Sequence, residues 1–442
     1  MFSTFDTIVA IATPPGRGGI GIVRVSGVDA LAIATELVAR DQPLEPRRAT
    51  FTEISRIDQA VVTYFQGPAS YTGEDVVEIS AHGSPVVLNS IVKAALGCGA
   101  RLAEPGEFTL RAYLNGRIDL MQAEAVADLI ESVTPLQART AFDQLHGTLT
   151  GAIAEIDAAL FDLIARLEAS VDFPEEGYHF ADPGVLAEAV DALVDRVNVL
   201  LAGGRRGRLV REGLQIAIVG PPNAGKSSLF NALAGASRAI VADTPGTTRD
   251  LITETVDLEG LRVTLIDTAG LRHAGDMVES EGVARARQAA EVADLILAVA
   301  DRSEPLGKEA RDALEQTAGK KTVIVANKSD CPASWSIRDA VDVSATTGEG
   351  MDMLRQRIVE RLGIESFADR PEITNIRHIA LVERARDALV RAKGALEDGR
   401  RLPEEFVLAD LQSARAAFEE ITGRRTPDDV LAHIFERFCV GK

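Results

Sequence analysis

The 442-residue sequence predicts a multidomain α/β plus α protein. An N-terminal α/β domain comes first, then a helical domain split in two, with a phosphate-loop α/β domain inserted between its halves. Three observations predict this. Short β-rich runs punctuated by Gly and Pro fill residues 1–118. Apolar residues at helical spacing occupy two separate stretches, at 119–212 and 373–442. Between them an alternating apolar strand runs straight into Gly220-Pro221-Pro222-Asn223-Ala224-Gly225-Lys226-Ser227, the pattern G-x-x-x-x-G-K-[ST].

Within residues 1–118, strands are expected at Thr7–Ala12, Ile20–Val25, Ala60–Phe65 and Val76–Ser80, with a helix at Pro85–Leu96. From Asp119 the pattern is helical. Ile153, Ile156, Leu160, Leu163, Ile164 and Leu167 make one apolar face, and Leu186, Val190, Leu193, Val197 and Leu200 make a long seam. Phe173-Pro174-Glu175-Glu176-Gly177 breaks the chain between them. Residues 213–372 read as α/β. After Arg370-Pro371 the helical spacing returns, first in Leu408, Leu411 and Phe418, then in Val430, Leu431, Ile434, Phe435 and Phe438. Because an inserted domain needs neighbouring termini, residues 119–212 and 373–442 are expected to form one helical domain around a domain at 213–372. Two unrelated helical bundles are the alternative.

Composition narrows the class. Apolar residues make up 46% of the chain and charged ones 26%, as in ordinary globular proteins. No run approaches the ~18 apolar residues of a membrane span. Met1-Phe2-Ser3-Thr4-Phe5-Asp6 lacks the basic and apolar regions of an export signal. Cys98, Cys331 and Cys439 are widely spaced, which suits a reducing, cytoplasmic location without a disulfide framework. The net charge of −19 argues against broad non-specific binding to nucleic acid. Its distribution is uneven. Lys and Arg number 10 against 12 acidic residues over 1–118, 7 against 17 over 119–212, 18 against 25 over 213–372, and 12 against 12 over 373–442. A local basic surface therefore stays open.

The phosphate loop follows the strand Gln215–Val219 and precedes a helix-like Ser228–Ala234. In that setting backbone N–H groups and a helix N-terminus face a β-phosphate, Lys226 reaches the β/γ oxygens and Ser227 ligates Mg²⁺. Leu265-Ile266-Asp267-Thr268-Ala269-Gly270 is a strand ending in an Asp suited to hold Mg²⁺ through water, followed by a Gly that can meet the γ-phosphate. Ile324-Val325-Ala326-Asn327-Lys328-Ser329-Asp330 ends in N-K-x-D, whose Asp330 carboxylate can accept from guanine N1–H and the exocyclic amine. Adenine offers no such pair of donors. Ser344-Ala345 is placed to support the base, and Thr247-Thr248 to complete the Mg²⁺ shell. These elements, in this order, imply a GTP-binding and hydrolysing domain. In Ras-like proteins a glutamine after the D-x-x-G glycine orients water; here Leu271 stands in its place, so another group must serve. Arg249, Arg272 and Glu279 are the candidates nearby.

Several motifs together resemble the tRNA-modifying GTPase family known as MnmE or TrmE. They are Asp6-Thr7-Ile8-Val9-Ala10, Ala12-Thr13-Pro14-Pro15-Gly16-Arg17-Gly18-Gly19, Tyr71-Thr72-Gly73-Glu74-Asp75, and Pro105-Gly106-Glu107-Phe108-Thr109. Also similar are Leu114-Asn115-Gly116-Arg117-Ile118-Asp119-Leu120, Gly246-Thr247-Thr248-Arg249-Asp250 and the terminal Cys439-Val440-Gly441-Lys442. The resemblance implies a wobble-uridine (U34) modification: with an FAD-dependent partner (MnmG/GidA), a carboxymethylaminomethyl or aminomethyl group is placed on C5, using a one-carbon unit from a folate. It implies an N-terminal domain that binds formyl-tetrahydrofolate and forms a homodimer, a heterotetramer with the partner, and a potassium-dependent GTPase. Arg24, Glu78, Arg117 and Lys442 fall at the folate-contacting positions. Arg117 replaces an expected lysine, and Val440 an expected isoleucine. Asn223, Ala242, Thr244 and Thr247 fall at the potassium cage, and Glu279 at the water-positioning glutamate. The nucleotide-binding stretches are then Asn223 to Ser228, the run Ala242, Asp243, Thr244, Pro245, Gly246, Thr247 and Thr248, residues Asp267 to Gly270, and Asn327, Lys328, Asp330, Ser344 and Ala345.

Two rival readings carry less. Cys439-Val440-Gly441-Lys442 is formally a prenylation signal, but Gly and Lys are poor residues there and no polybasic run precedes it. A ribosome-assembly GTPase would bring an RNA-binding module, and neither a basic G-x-x-G loop nor a base-stacking motif is present. Cys439 is a tentative catalytic residue, with a small buried hydrophobe as its alternative. The apolar face from Val430 to Phe438 predicts that the C-terminal tail is docked.

Overall fold

The computed structural model describes residues 5–38, 42–172, 183–236, 252–267, 291–317, 319–363, 373–397 and 404–441. The chain divides into two compact units, one of residues 1–127, 144–150 and 412–442, the other of residues 128–143 and 151–411.

The first unit is built on a six-stranded sheet of order β3-β4-β5-β2-β1-β6. Its strands are β1 (Ile8–Ile11), β2 (Gly18–Ser26), β3 (Thr50–Ile54), β4 (Asp58–Phe65), β5 (Val76–Gly83) and β6 (Arg101–Leu102). All pairs are antiparallel except β1 with β6. Strand alternation sends Val9, Val23, Val25, Val62, Val77 and Ile79 into one core, under α1 (Ala30–Leu37) and α2 (Pro85–Gly97). Ile8 and Ala10 point the other way and pack with Phe108 of α3 (Glu107–Leu114). Arg24 and Glu78, directly opposite each other on β2 and β5, share that second face.

The C-terminal tail belongs to this unit. Leu431 and Phe435 of the helix Asp428–Phe435, with Phe438, bury against Leu110, Leu120, Ala123 and Val126. The approach is close enough to require glycine at 106, where φ is +70° and a Cβ would stand 2.7 Å from the Phe435 carbonyl oxygen. The Gly106 N–H donates to the Cys439 carbonyl at 3.4 Å, and Pro105 forms a β-bridge with Val440. The tail is therefore docked, as its apolar face predicts. Residues 412–442 lie in the first unit, where the apolar face of the tail finds its partner on α3 and on α4 (Leu120–Glu131).

The second unit contains α5 (Pro135–Leu145, up to residue 143), most of α6 (Thr148–Asp172) and α7 (Pro183–Glu212). Ile153, Ile156, Leu160, Leu163, Ile164 and Leu167 are all buried, as are Leu186, Val190, Leu193, Val197 and Leu200. A second sheet follows, of order β12-β11-β10-β7-β9-β8. It comprises β7 (Leu214–Val219), β8 (Ile252–Leu258), β9 (Leu261–Asp267), β10 (Leu295–Asp301), β11 (Thr322–Asn327) and β12 (Val341–Val343). Every pair is parallel except the β8–β9 hairpin, whose register runs from Ile252 opposite Asp267 to Leu258 opposite Leu261. Near-continuous apolar runs in β7 and β10 suit strands buried on both faces. The sheet is crossed by α8 (Lys226–Ala236), α9 (Lys308–Gln316) and α10 (Met351–Leu362). Beyond it, α11 (Ile376–Glu397) packs along α7, where Lys393 pairs with Asp191. The helical stretches before and after the sheet thus meet each other. Among the described residues, no helix is long and apolar enough to cross a membrane.

Candidate functional site

The phosphate loop sits at the C-terminal end of β7, the position where parallel α/β sheets bind ligands. Its curvature comes from unusual backbone angles. Asn223 has φ +62°, a conformation Asn tolerates better than most residues. Gly225 has φ +87°, and a Cβ there would lie 2.1 Å from Asn327 Nδ2. Lys226 is buried, and its ammonium donates to the carbonyls of Gly220 at 2.9 Å and Pro221 at 2.8 Å. Ser227 and Ser228 are exposed in the first turn of α8, where backbone N–H groups lack intrahelical partners.

The guanine-type motif meets this loop through one side chain. Asn327, at the end of β11, donates Nδ2–H to the Ala224 carbonyl at 2.9 Å and accepts from the Ala345 N–H at 3.2 Å. Asp330 takes a hydrogen bond from the buried Ser344 hydroxyl, which is the main reason its carboxyl lies below the ordinary value. Lys328, at φ +66°, pairs with Asp301. Burial would raise the Asp301 carboxyl, but hydrogen bonds from Lys328 and Ser303 outweigh it and hold the group below its usual range. Asp267 ends β9 opposite Ile218 of β7, so its main chain stands beside the strand that feeds the phosphate loop.

A second group of residues gathers in the first unit. The Arg24 guanidinium donates twice to Glu78 Oε1, at 3.0 and 2.8 Å, and once to the Gly441 carbonyl at 3.2 Å. It lies 5.4 Å from the ring centre of Tyr71 and 5.6 Å from that of Phe108. The Tyr71 hydroxyl is bonded to that of Thr109 at 2.8 Å. Arg117 is exposed, its stem beside Gly73, and among the described residues no hydrogen bond joins it to this group. Cys439 is exposed, which removes its reading as a buried hydrophobe. Beneath this group Arg111, fully buried, binds Asp6, Glu74 and Glu107, and Arg101 bridges Asp6 and Glu107.

Of the residues the sequence singles out, the structure brings the loop together with Asn327 and Ala345, Asp330 with Ser344, and Arg24 with Glu78. Sequence reasoning misses Asp301, Tyr71 as a partner of Arg24, and the Arg111 network. Outside the described residues lie Arg249, Arg272 and Glu279, the run Ala242, Asp243, Thr244, Pro245, Gly246, Thr247 and Thr248, then Thr268, Ala269, Gly270 and Lys442.

The profile of the MnmE helical domain matches residues 120–439, and that of the GTP-binding protein TrmE N-terminus matches residues 7–117. The chain belongs to the MnmE family of tRNA modification GTPases. The tRNA modification GTPase MnmE of Koribacter versatilis is 47% identical over 457 residues, covering 99% of each chain. That of Aquifex aeolicus is 40% identical over 447 residues, covering 99% of this chain and all of its own. The G domain of the T. maritima FeoB iron transporter aligns with 34% of this chain and 98% of its own at 31% identity, with a TM-score of 0.27. Membership of the MnmE family makes the chain an enzyme of the GTPase class.

Proposed function

We propose that this protein hydrolyses GTP and, with an FAD-dependent partner (MnmG/GidA), modifies C5 of the wobble uridine (U34) of certain tRNAs. The group added is carboxymethylaminomethyl or aminomethyl, its one-carbon unit drawn from a folate. The observation that carries the GTP half is the pair of hydrogen bonds that Asn327 makes, donating to the Ala224 carbonyl and accepting from the Ala345 N–H, which draws phosphate loop, N-K-x-D and Ser344-Ala345 onto one amide. Asp330, its carboxyl kept ionised, accepts from guanine N1–H and the exocyclic amine. Lys226 exchanges its loop carbonyls for β/γ-phosphate oxygens.

Ser227, exposed at the start of α8, and Thr248 are the residues to hold Mg²⁺; the ion supplies charge neutralisation on the phosphates. Asn223, with oxygens of Ala242, Thr244 and Thr247, suits a potassium ion beside them. With Leu271 in the glutamine position, Glu279 orients the attacking water, and Arg249 and Arg272 are available for added positive charge. In the first unit, both Arg24 bonds fall on Glu78 Oε1, so Oε2 remains to accept from an N–H edge of a heterocycle. That arrangement, flanked by Tyr71 and Phe108, supports a folate held by Arg24, Glu78, Arg117 and Lys442. We place this work in the cytoplasm, in a homodimer formed through residues 1–118, with a heterotetramer on partner binding. The deciding experiment is the mass of the wobble nucleoside in tRNA from cells lacking this protein. An unmodified uridine, restored on complementation, supports the reading. A fully modified nucleoside defeats it.

A further inference from the structure

We propose that Asp301 is a positioning residue for guanine recognition: it fixes the Lys328 ammonium and thereby sets nucleotide affinity. The inference rests on the GTP reading of this site and deepens it. Asp301 ends β10, next to β11, in register with Asn327. Its two carboxylate oxygens are divided. Oδ1 accepts from the Ser303 N–H at 2.9 Å and the Ser303 hydroxyl at 2.6 Å, and Oδ2 takes the Lys328 ammonium. An exposed lysine pair is ordinarily weak, because a four-carbon stem must be ordered to make it. Here the acceptor is already immobile, with only 14% of its side chain exposed.

The main chain around Asp301 is strapped on both sides of the N-K-x-D segment. The Arg302 N–H donates to the Asn327 carbonyl at 2.9 Å, on the near side. On the far side, Trp335 Nε1–H donates to the Asp301 carbonyl at 2.6 Å, and Ser334 donates to the carbonyls of Arg302 and Ser303 at 2.9 and 2.7 Å. Residues 301–303 therefore clamp the chain before and after Lys328 and Asp330. Lys328 itself holds a positive φ, so its side chain leaves the backbone in a direction that Asp301 must complete. A base resting on that segment meets a lysine in one fixed pose.

The test uses the full chain and mant-GDP, with energy transfer from Trp335, the sole tryptophan, as the signal. Asp301→Asn keeps the size of the side chain and its ability to accept from Ser303. It is expected to raise the mant-GDP dissociation rate and the KM for GTP by ~10-fold, with kcat altered by less than ~2-fold. Lys328→Ala is expected to lose the same factor, and the double variant no more than either single one, because both act through one interaction. Unchanged dissociation in Asp301→Asn, or losses that multiply in the double variant, would overturn the proposal. Asp301→Glu, which restores the charge, is expected to recover part of the affinity; no recovery, in a variant with wild-type circular dichroism and Tm, assigns Asp301 a structural role instead. Wild-type chain that fails to bind mant-GDP defeats the GTP reading itself, an outcome distinct from tight binding by the variant.

Discussion

Asn327 and Ala224 are joined across 103 residues of sequence by a 2.9 Å hydrogen bond from side-chain amide to main-chain carbonyl. The strand that ends in N-K-x-D and the phosphate loop are thereby tied to each other. Gly225 passes so close to that amide that only a residue without a Cβ fits. Gly225→Ala should therefore lower GDP affinity by at least ~100-fold, through displacement of Asn327 and the positive φ together. Equilibrium titration with mant-GDP measures it, alongside circular dichroism to establish that the fold persists.

Asp330→Asn should weaken GTP and favour xanthosine triphosphate. An amide presents one acceptor and one donor where the carboxylate presents two acceptors, and the xanthine edge is complementary to the amide. Turnover of both nucleotides at matched concentrations reads the switch. Unchanged GTP preference would place Asp330 away from the base.

GTP hydrolysis should be faster in potassium than in sodium. Leu271 cannot orient water, and Asn223 is held at positive φ in the exposed part of the loop, where a side-chain oxygen can serve a monovalent cation. Steady-state rates in the two chloride salts at equal ionic strength provide the measurement. Equal rates remove Asn223 from any cation site.

The first unit should lose stability in acid. Asp6 is held below its ordinary value chiefly by hydrogen bonds from Arg101, with burial opposing and Arg111 assisting. At Glu107 burial pushes the carboxyl up, and Arg101, the Glu104 N–H and Arg111 more than reverse it. Both carboxyls are depressed in the folded state. Their contribution is complete above the ordinary carboxylate range, about pH 4, and is lost as pH falls toward the lowered values. Urea midpoints between pH 7 and pH 3 should follow that slope. Arg111→Met takes a fully buried guanidinium from Asp6, Glu74 and Glu107, leaving Arg101 as the remaining arginine on Asp6 and Glu107, and should cost about 3–5 kcal/mol at pH 7, with a flatter acid profile.

Removal of Cys439–Lys442 should abolish wobble-uridine modification and leave GTP hydrolysis close to normal. Arg24 would lose the Gly441 carbonyl and Gly106 the Cys439 carbonyl, while the Asn327 frame lies in the other compact unit. Nucleoside mass analysis and phosphate release, run on the same preparation, separate the two activities. A truncated protein that still modifies tRNA fully would take the tail out of that chemistry.

The nucleotide frame is legible in the sequence because its chemistry fixes residue types at short spacings, glycine and lysine in one loop, asparagine and aspartate in another. Asp301 is not, since nothing in a strand ending in Asp says which lysine lies beside it. Strand β3 escapes pattern reading because its alternation is inverted: Thr50 and Thr52 are buried while Phe51 is exposed. Helix α3 is similarly disguised, with Glu107 and Arg111 buried in mutual ion pairs where an apolar stripe would be sought. The apolar face of the tail can be read from Leu431, Phe435 and Phe438. Its partner cannot, because contacts such as that from the Tyr113 hydroxyl to the Gly423 carbonyl span 310 residues.

The β8–β9 hairpin has a mechanical meaning. The stretch carrying Thr247 and Thr248 enters the sheet at Ile252, and the stretch carrying Glu279 leaves it at Asp267. Those two residues face each other on a single rung. Ile252 and Asp267 thus tie the points where the two stretches join the sheet to one pair of backbone groups. The hairpin acts as a yoke: the first residue of β8 and the last of β9 are held on one rung, so neither strand end can shift along the sheet without the other.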